Sequence, residues 1–125
     1  MARILVIDDV AGVRRSIVAS LKRHGHEVEE AANGADGVAK AARVRPDLVV
    51  TDMLMPGMDG IDTIERLREI PGGGAIKVLA ISGGGSLVPA ADALIVAEAI
   101  ADGVLPKPFD NTELEAAVTA LVGGR

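Results

Sequence analysis

Five residues have side chains suited to receiving a phosphoryl group: Asp8, Asp9, Asp52, Ser82 and Lys107. Three carboxylates brought together repel one another unless a cation joins them. A hard cation with oxygen ligands does this, and Mg2+ prefers one or two carboxylates completed by phosphate oxygen and water. A carboxylate can also attack phosphorus and become an aspartyl phosphate. Mg2+ then neutralises charge developing on the phosphoryl group. A lysine ammonium holds one phosphoryl oxygen as a point charge, and a serine hydroxyl donates to another. The sequence contains no GxxxxGK[ST] loop, so ATP binding in the P-loop manner is not expected.

Taken singly, each residue has a plainer reading. Asp8 or Asp9 could cap the helix that follows. Asp52 could be a turn residue before Pro56-Gly57, and Ser82 stands in a glycine-rich loop where serine is common. Lys107 could be a solvated surface lysine. Their joint placement is what carries weight, and it depends on the elements that hold them.

Each of the five stands at the end of a short apolar run. Ile4-Leu5-Val6-Ile7 leads to Asp8-Asp9, and Leu48-Val49-Val50-Thr51 leads to Asp52. The run from Ile76 to Ile81 leads to Ser82, and Val104-Leu105 stands just before Lys107. Such runs, bounded by turn signals, read as buried strands. Glu27 to Ala31 is a more polar strand suited to a sheet edge. Between the strands lie helical patterns. Val13, Ile17 and Leu21 recur every four residues up to Gly25, and roughly Ala35 to Val44 follows the Asn33-Gly34 turn. Gly60 to Arg68, Pro89 to Ala101 and Asp110 to Val122 supply three more, with Asp110 or Asn111 as the last N-cap.

Five strand–helix alternations predict an α/β fold, a parallel sheet covered by helices on both faces. Open sheets of this kind bind ligands at the carboxyl ends of their strands. All five candidate residues fall there.

At 125 residues one domain with one core is expected. A hydrophobic share of 49% suits a core rather than disorder. Phe109 is the lone aromatic, so there is no stacking platform for single strands. Together with a net charge of −5, this argues against direct nucleic-acid binding. The absence of cysteine excludes disulfides, thiolate metal sites and thiol catalysis. The first apolar run reaches Asp8 too soon for a signal peptide, and no run approaches transmembrane length. A soluble cytoplasmic protein without membrane insertion is the expectation.

The sequence resembles the response-regulator receiver domains of bacterial two-component signalling. The residues that carry the resemblance are Val6-Ile7-Asp8-Asp9, the stretch Thr51 to Gly60, Ile81-Ser82-Gly83 and Lys107-Pro108-Phe109. The likeness spans essentially the whole chain, 1–125, as a single receiver domain with no output domain. It implies a flavodoxin-like (βα)5 fold with strand order 2-1-3-4-5. It implies that Asp52 is the phosphoacceptor, that Lys107 binds phosphate and that Ser82 is the switch hydroxyl. Asp8, Asp9, Asp52 and the backbone carbonyl of Leu54 would hold Mg2+. The Lys107-Pro108 bond would be cis. The implied donor is a sensor histidine kinase or a histidine phosphotransfer protein. The output would be protein binding through the fourth-helix, fifth-strand, fifth-helix face, about residues 88–109. Such a domain acts on itself and is not a metabolic enzyme. A phosphorylation-independent adaptor is the alternative, and an Mg2+-dependent phosphohydrolase is a weaker one, for want of an acid–base residue.

Three departures stand out. Val104 occupies a position where many members carry Tyr or Phe. By the resemblance, Leu54 and Gly84 neighbour the path of the hydrolytic water, and polar residues are frequent at the position of Leu54. The glycine-rich link Gly83 to Pro89 has many backbone states to lose on ordering. Ordering of that link, with re-seating of the fourth helix, is the expected switch. The fourth helix is apolar on more than one face, which suits a partner surface. The Arg14-Arg15 side of the first helix is a second candidate surface, for the kinase.

Overall fold

The computed structural model describes residues 2–53, 60–82 and 100–123. Five strands form one parallel sheet: β1 (Arg3–Ile7), β2 (Glu27–Ala31), β3 (Leu48–Asp52), β4 (Lys77–Ser82) and β5 (Gly103–Pro106). Their order is β2-β1-β3-β4-β5, as the resemblance implies. The helices are α1 (Ala11–Arg23), α2 (Gly34–Val44), α3 (Gly60–Glu69) and a C-terminal helix (Asn111–Val122). A short 3-10 turn at Gly73–Ala75 precedes β4.

Burial follows position in the sheet. Every residue of central β3 is buried, as a parallel strand covered on both faces must be. Edge strand β2 alternates exposed and half-buried residues before Ala31, and its glutamates discourage pairing with another chain. Two apolar clusters cover the two faces. Ile4, Val6, Val50 and Leu79 pack with Ile17 and Leu21 of α1 and Leu114 and Val118 of the C-terminal helix. Leu5, Ile7, Val49 and Val78 pack with Ala41 of α2 and Ile64 and Leu67 of α3. Phe109 packs half-buried against the first cluster. Aliphatic side chains thus make the core.

The helix ends match their local chemistry. Gly25, at φ 87°, takes the left-handed turn after α1. The Asn33 side chain accepts from the Asp36 N–H at 2.8 Å and caps α2. Asp110 caps the C-terminal helix in a reciprocal capping box with Glu113. Neither Asp8 nor Asp9 is the N-cap of α1. That position is Val10, which makes no side-chain cap.

Several boundaries shift from the sequence reading. Asp52 and Ser82 are the last residues of their strands, and β5 extends over Gly103–Pro106. Pairing with neighbours decides these ends: Asp52 faces Ile81, and Ser82 faces Pro106. The Leu54 carbonyl, the Gly83 to Pro89 link and the fourth helix up to residue 99 lie outside the described residues.

Candidate functional site

Strand order reverses beside β1, so the carboxyl ends of β1 and β3 flank the crevice where open sheets bind ligands. Asp8 and Asp9 follow β1, and Asp52 ends β3. The three offer carboxylate oxygens that all lie within 4.8 Å of one another. Asp8 and Asp52 are buried, and Asp9 is exposed. Lys107 follows β5, and its Nζ lies 3.3 Å from Asp52 Oδ2. The sheet therefore brings four of the five sequence candidates together.

Ser82 joins them through the backbone. Its carbonyl accepts from the Lys107 N–H at 2.7 Å, which fixes the start of the segment carrying the lysine. The Ser82 residue is buried. The Lys107-Pro108 peptide is cis, as expected. Val104 packs half-buried against the second cluster, among aliphatic side chains.

Asp8 is tied down on three sides. Its N–H donates to the Ala31 carbonyl at 3.2 Å, and its carbonyl accepts from Arg14 Nη1 at 2.8 Å. Its Oδ1 accepts from the Val10 N–H at 2.9 Å. Its Oδ2 is buried with no hydrogen-bond partner among the described residues. Burial pushes the Asp8 carboxyl above its ordinary range, and the Asp52 and Asp9 carboxylates add to that. The Val10 bond and the Lys107 charge pull the other way and do not overcome it.

An unpartnered buried oxygen beside two further carboxylates is what a divalent cation would satisfy. The donor set is all oxygen, which suits Mg2+ and excludes a soft-metal preference. Asp8, Asp9 and Asp52 fit such an ion.

Sequence reasoning missed several supporting residues. Arg14 is not part of an exposed basic face. Its side chain is 13% exposed, and its Nε donates to Glu30 Oε1 at 2.8 Å. Neighbouring Arg15 does stay exposed. Gly60 is a second omission. A Cβ there would stand 2.5 Å from Met53 Cα and 2.9 Å from the Asp52 carbonyl oxygen. The start of α3 can lie against the phosphoacceptor candidate's backbone only because residue 60 has no side chain. Thr51 is buried and donates to the Asp52 carbonyl at 3.1 Å.

Known proteins are similar to this chain in sequence and fold. A family model, the response regulator receiver domain, matches residues 4–119. Protein PilH of Pseudomonas aeruginosa is 34% identical over 124 residues, which cover 99% of this chain and 100% of PilH. Response regulator MprA of Mycobacterium leprae is 38% identical over 120 residues, 96% of this chain and 50% of that protein. The chain therefore spans about half the length of MprA. The chemotaxis protein CheY4 of Vibrio cholerae superposes with a TM-score of 0.86 at 29% identity, covering 97% of this chain and 98% of CheY4. The receiver domain of sensor histidine kinase PA1611 of Pseudomonas aeruginosa gives a TM-score of 0.85 at 25% identity, covering 98% of each chain. That structure holds a magnesium ion coordinated in its active-site cleft. Among the described residues, no helix is long and apolar enough to cross a membrane. The fold, the acidic pocket and the extent of these matches place the chain in the response regulator receiver domain family.

Proposed function

We propose that this chain is a phosphorylation-dependent signalling module of the cytoplasm, with Asp52 as its phosphoacceptor. The observation that carries this is the convergence of Asp8, Asp9, Asp52 and Lys107 from three different strand ends on one crevice. The match to PilH over that protein's full length supports a receiver that acts without an attached output domain.

Asp8, Asp9 and Asp52 would hold Mg2+, and the Leu54 carbonyl, which lies outside the described residues, would be the further ligand that the resemblance implies. When bound, the ion supplies charge neutralisation at the phosphoryl oxygens. The chain's own groups do the rest. An Asp52 carboxylate oxygen forms the new O–P bond as the N–P bond of a phosphohistidine donor breaks, and the imidazole leaves with the electron pair. Lys107, already beside Asp52 Oδ2, holds a phosphoryl oxygen as the group arrives. The Ser82 hydroxyl donates to another oxygen and reports the modification to its surroundings. The donor is a sensor histidine kinase or a phosphotransfer protein. The output is altered protein binding through the face about residues 88–109, of which 100–109 are described.

Intact mass after incubation with a small acyl phosphate tests this. The expected result is a Mg2+-dependent gain of one phosphoryl group, absent in Asp52→Asn. If neither the acyl phosphate nor any phosphohistidine donor adds the group, the chain is a phosphorylation-independent adaptor. Repeated turnover of a phosphomonoester would instead make it a phosphohydrolase.

A further inference from the structure

The acidic pocket has a support that its own residues do not supply. Arg14 stands on α1, one turn beyond Val10, and its guanidinium reaches two different strands. Nη1 donates to the Asp8 carbonyl at 2.8 Å, at the end of β1. Nε donates to Glu30 Oε1 at 2.8 Å, on β2. Glu30 is held in turn from α2, where Lys40 Nζ donates to its backbone carbonyl. A continuous chain of contacts therefore runs from α2 through β2 and α1 to the Asp8 peptide.

The bonded atom is informative. Arg14 touches the carbonyl of Asp8 and leaves the carboxylate alone, with Oδ2 buried and unpartnered among the described residues. The Asp8 carbonyl lies in the peptide plane that also contains the Asp9 N–H. Fixing that oxygen holds the peptide joining Asp8 to Asp9, and with it the backbone from which both carboxylates project. The arginine charge is met by Glu30, whose carboxyl the Arg14 hydrogen bond holds below its ordinary range. The leverage of Arg14 on the pocket is therefore directional more than electrostatic. A planar fork can bond two acceptors at set angles, and a lysine ammonium cannot reproduce it.

We propose that Arg14 is a positioning residue for the acidic pocket, locking the Asp8–Asp9 peptide against β2 so that the carboxylates keep the spacing a divalent cation needs. This rests on the reading of the pocket as an Mg2+ site. Outer contacts of this kind are typically worth 10- to 100-fold in metal affinity.

The sign of the effect separates positioning from charge. Removing a cation near an Mg2+ site should by Coulomb's law tighten binding. Loss of positioning should weaken it. The test is Mg2+ titration by calorimetry on the wild type, Arg14→Lys, Arg14→Ala and Arg15→Ala. Thermal unfolding without metal identifies which variants are folded. The expected result is an Mg2+ Kd raised about tenfold or more in Arg14→Lys and Arg14→Ala, with Arg15→Ala within about twofold of wild type. Arg14→Lys is the milder change and decides the matter if Arg14→Ala fails to fold. A wild-type Kd in Arg14→Lys overturns the proposal, and so does tighter binding in Arg14→Ala. A wild type that takes up no Mg2+ removes the site reading along with it. Wild-type binding with unchanged Arg14 variants removes the positioning role alone.

Discussion

Lys107 Nζ lies 3.3 Å from Asp52 Oδ2, although the strands that deliver the two residues, β5 and β3, are separated by β4. The pair is mostly sheltered, with side-chain exposures of 28% and 7%. In the metal-free pocket the ammonium offsets part of the repulsion among three carboxylates. It also competes with any cation for the same oxygens. Lys107→Met should therefore move two quantities in opposite directions. Mg2+ should bind a few-fold tighter, because a nearby positive charge is gone. Phosphorylation by an acyl phosphate should slow about 100-fold, because a preorganised donor to the phosphoryl group is lost. Calorimetry and time-resolved intact mass would check both. Unchanged phosphorylation would show that Lys107 only balances charge.

Asp8 poses the converse case, a residue whose ionised form costs stability. Its carboxylate is buried beside those of Asp9 and Asp52 and has an oxygen without a partner among the described residues. Removing such a charge relieves repulsion and desolvation at once. Asp8→Asn should therefore stabilise the metal-free fold by about 1 kcal/mol while weakening Mg2+ binding at least tenfold. Thermal unfolding with and without Mg2+ would display the trade. The wild type should gain stability as metal is added, and the variant should start higher and respond little. A variant less stable than wild type without metal would contradict this account.

The alternation of apolar runs and helical patterns made the α/β class legible, and it put Asp8, Asp9, Asp52, Ser82 and Lys107 at strand ends. Those residues punctuate buried segments, so their position along the chain carries their position in space. The full strand order was legible only through the resemblance: the polarity of β2 suits a sheet edge, but nothing in it says that β1 is its neighbour. Arg14 was not legible. On α1 it stands beside Arg15, and an exposed pair was the natural reading. What Arg14 turns inward to meet is Glu30 on β2 and the Asp8 carbonyl after β1, neither of them part of the helix's own pattern. The close packing at Gly60 and Gly37 was hidden for a similar reason. A Cβ on Gly37 would stand 2.3 Å from Ile7 Cδ1, and only the folded chain brings those two together.

Arg68 and Asp102 form a latch at the opposite ends of the same strands. Arg68 Nη2 lies 2.9 Å from Asp102 Oδ2, which also accepts from the Val78 N–H at 2.8 Å. The guanidinium further donates to the Ile76 carbonyl. This ties the end of α3 to the starts of β4 and β5. Burial alone would raise the Asp102 carboxyl, but the Arg68 bond and charge and the Val78 bond outweigh it and hold it below its ordinary range. A depressed carboxyl stabilises the fold above its unfolded-state value and loses that contribution as pH falls through the folded value. Asp102→Ala should cost about 1–3 kcal/mol at neutral pH. The gap from wild type should close as pH drops below the ordinary carboxylate range. Denaturant titrations of both proteins at several pH values would show it. A gap that is constant with pH would assign the loss to packing.

Gly60 offers the sharpest test of how the fold serves Asp52. The two nearest backbone atoms to a Cβ at this position are Met53 Cα and the Asp52 carbonyl oxygen, at 2.5 and 2.9 Å. Neither can swing aside as the tip of a side chain could. The Gly60 N–H also donates to the Met53 carbonyl at 3.1 Å, so the helix start cannot retreat without losing that bond. Gly60→Ala must therefore displace either α3 or the Asp52–Met53 peptide. Forcing extra volume into such a contact should cost about 1–3 kcal/mol. Phosphorylation of Asp52 should slow as well, because its backbone is one of the two things that can move. Gly12→Ala is the matched comparison. Gly12 is exposed on α1, and a Cβ there meets nothing within 4 Å among the described residues. Alanine at that position should instead add about 0.4–1 kcal/mol and leave the pocket untouched. Urea denaturation and the rate of mass gain, measured on both variants, separate the two outcomes. If Gly60→Ala matches Gly12→Ala in both, the close approach of α3 to Asp52 is not what holds the site in register.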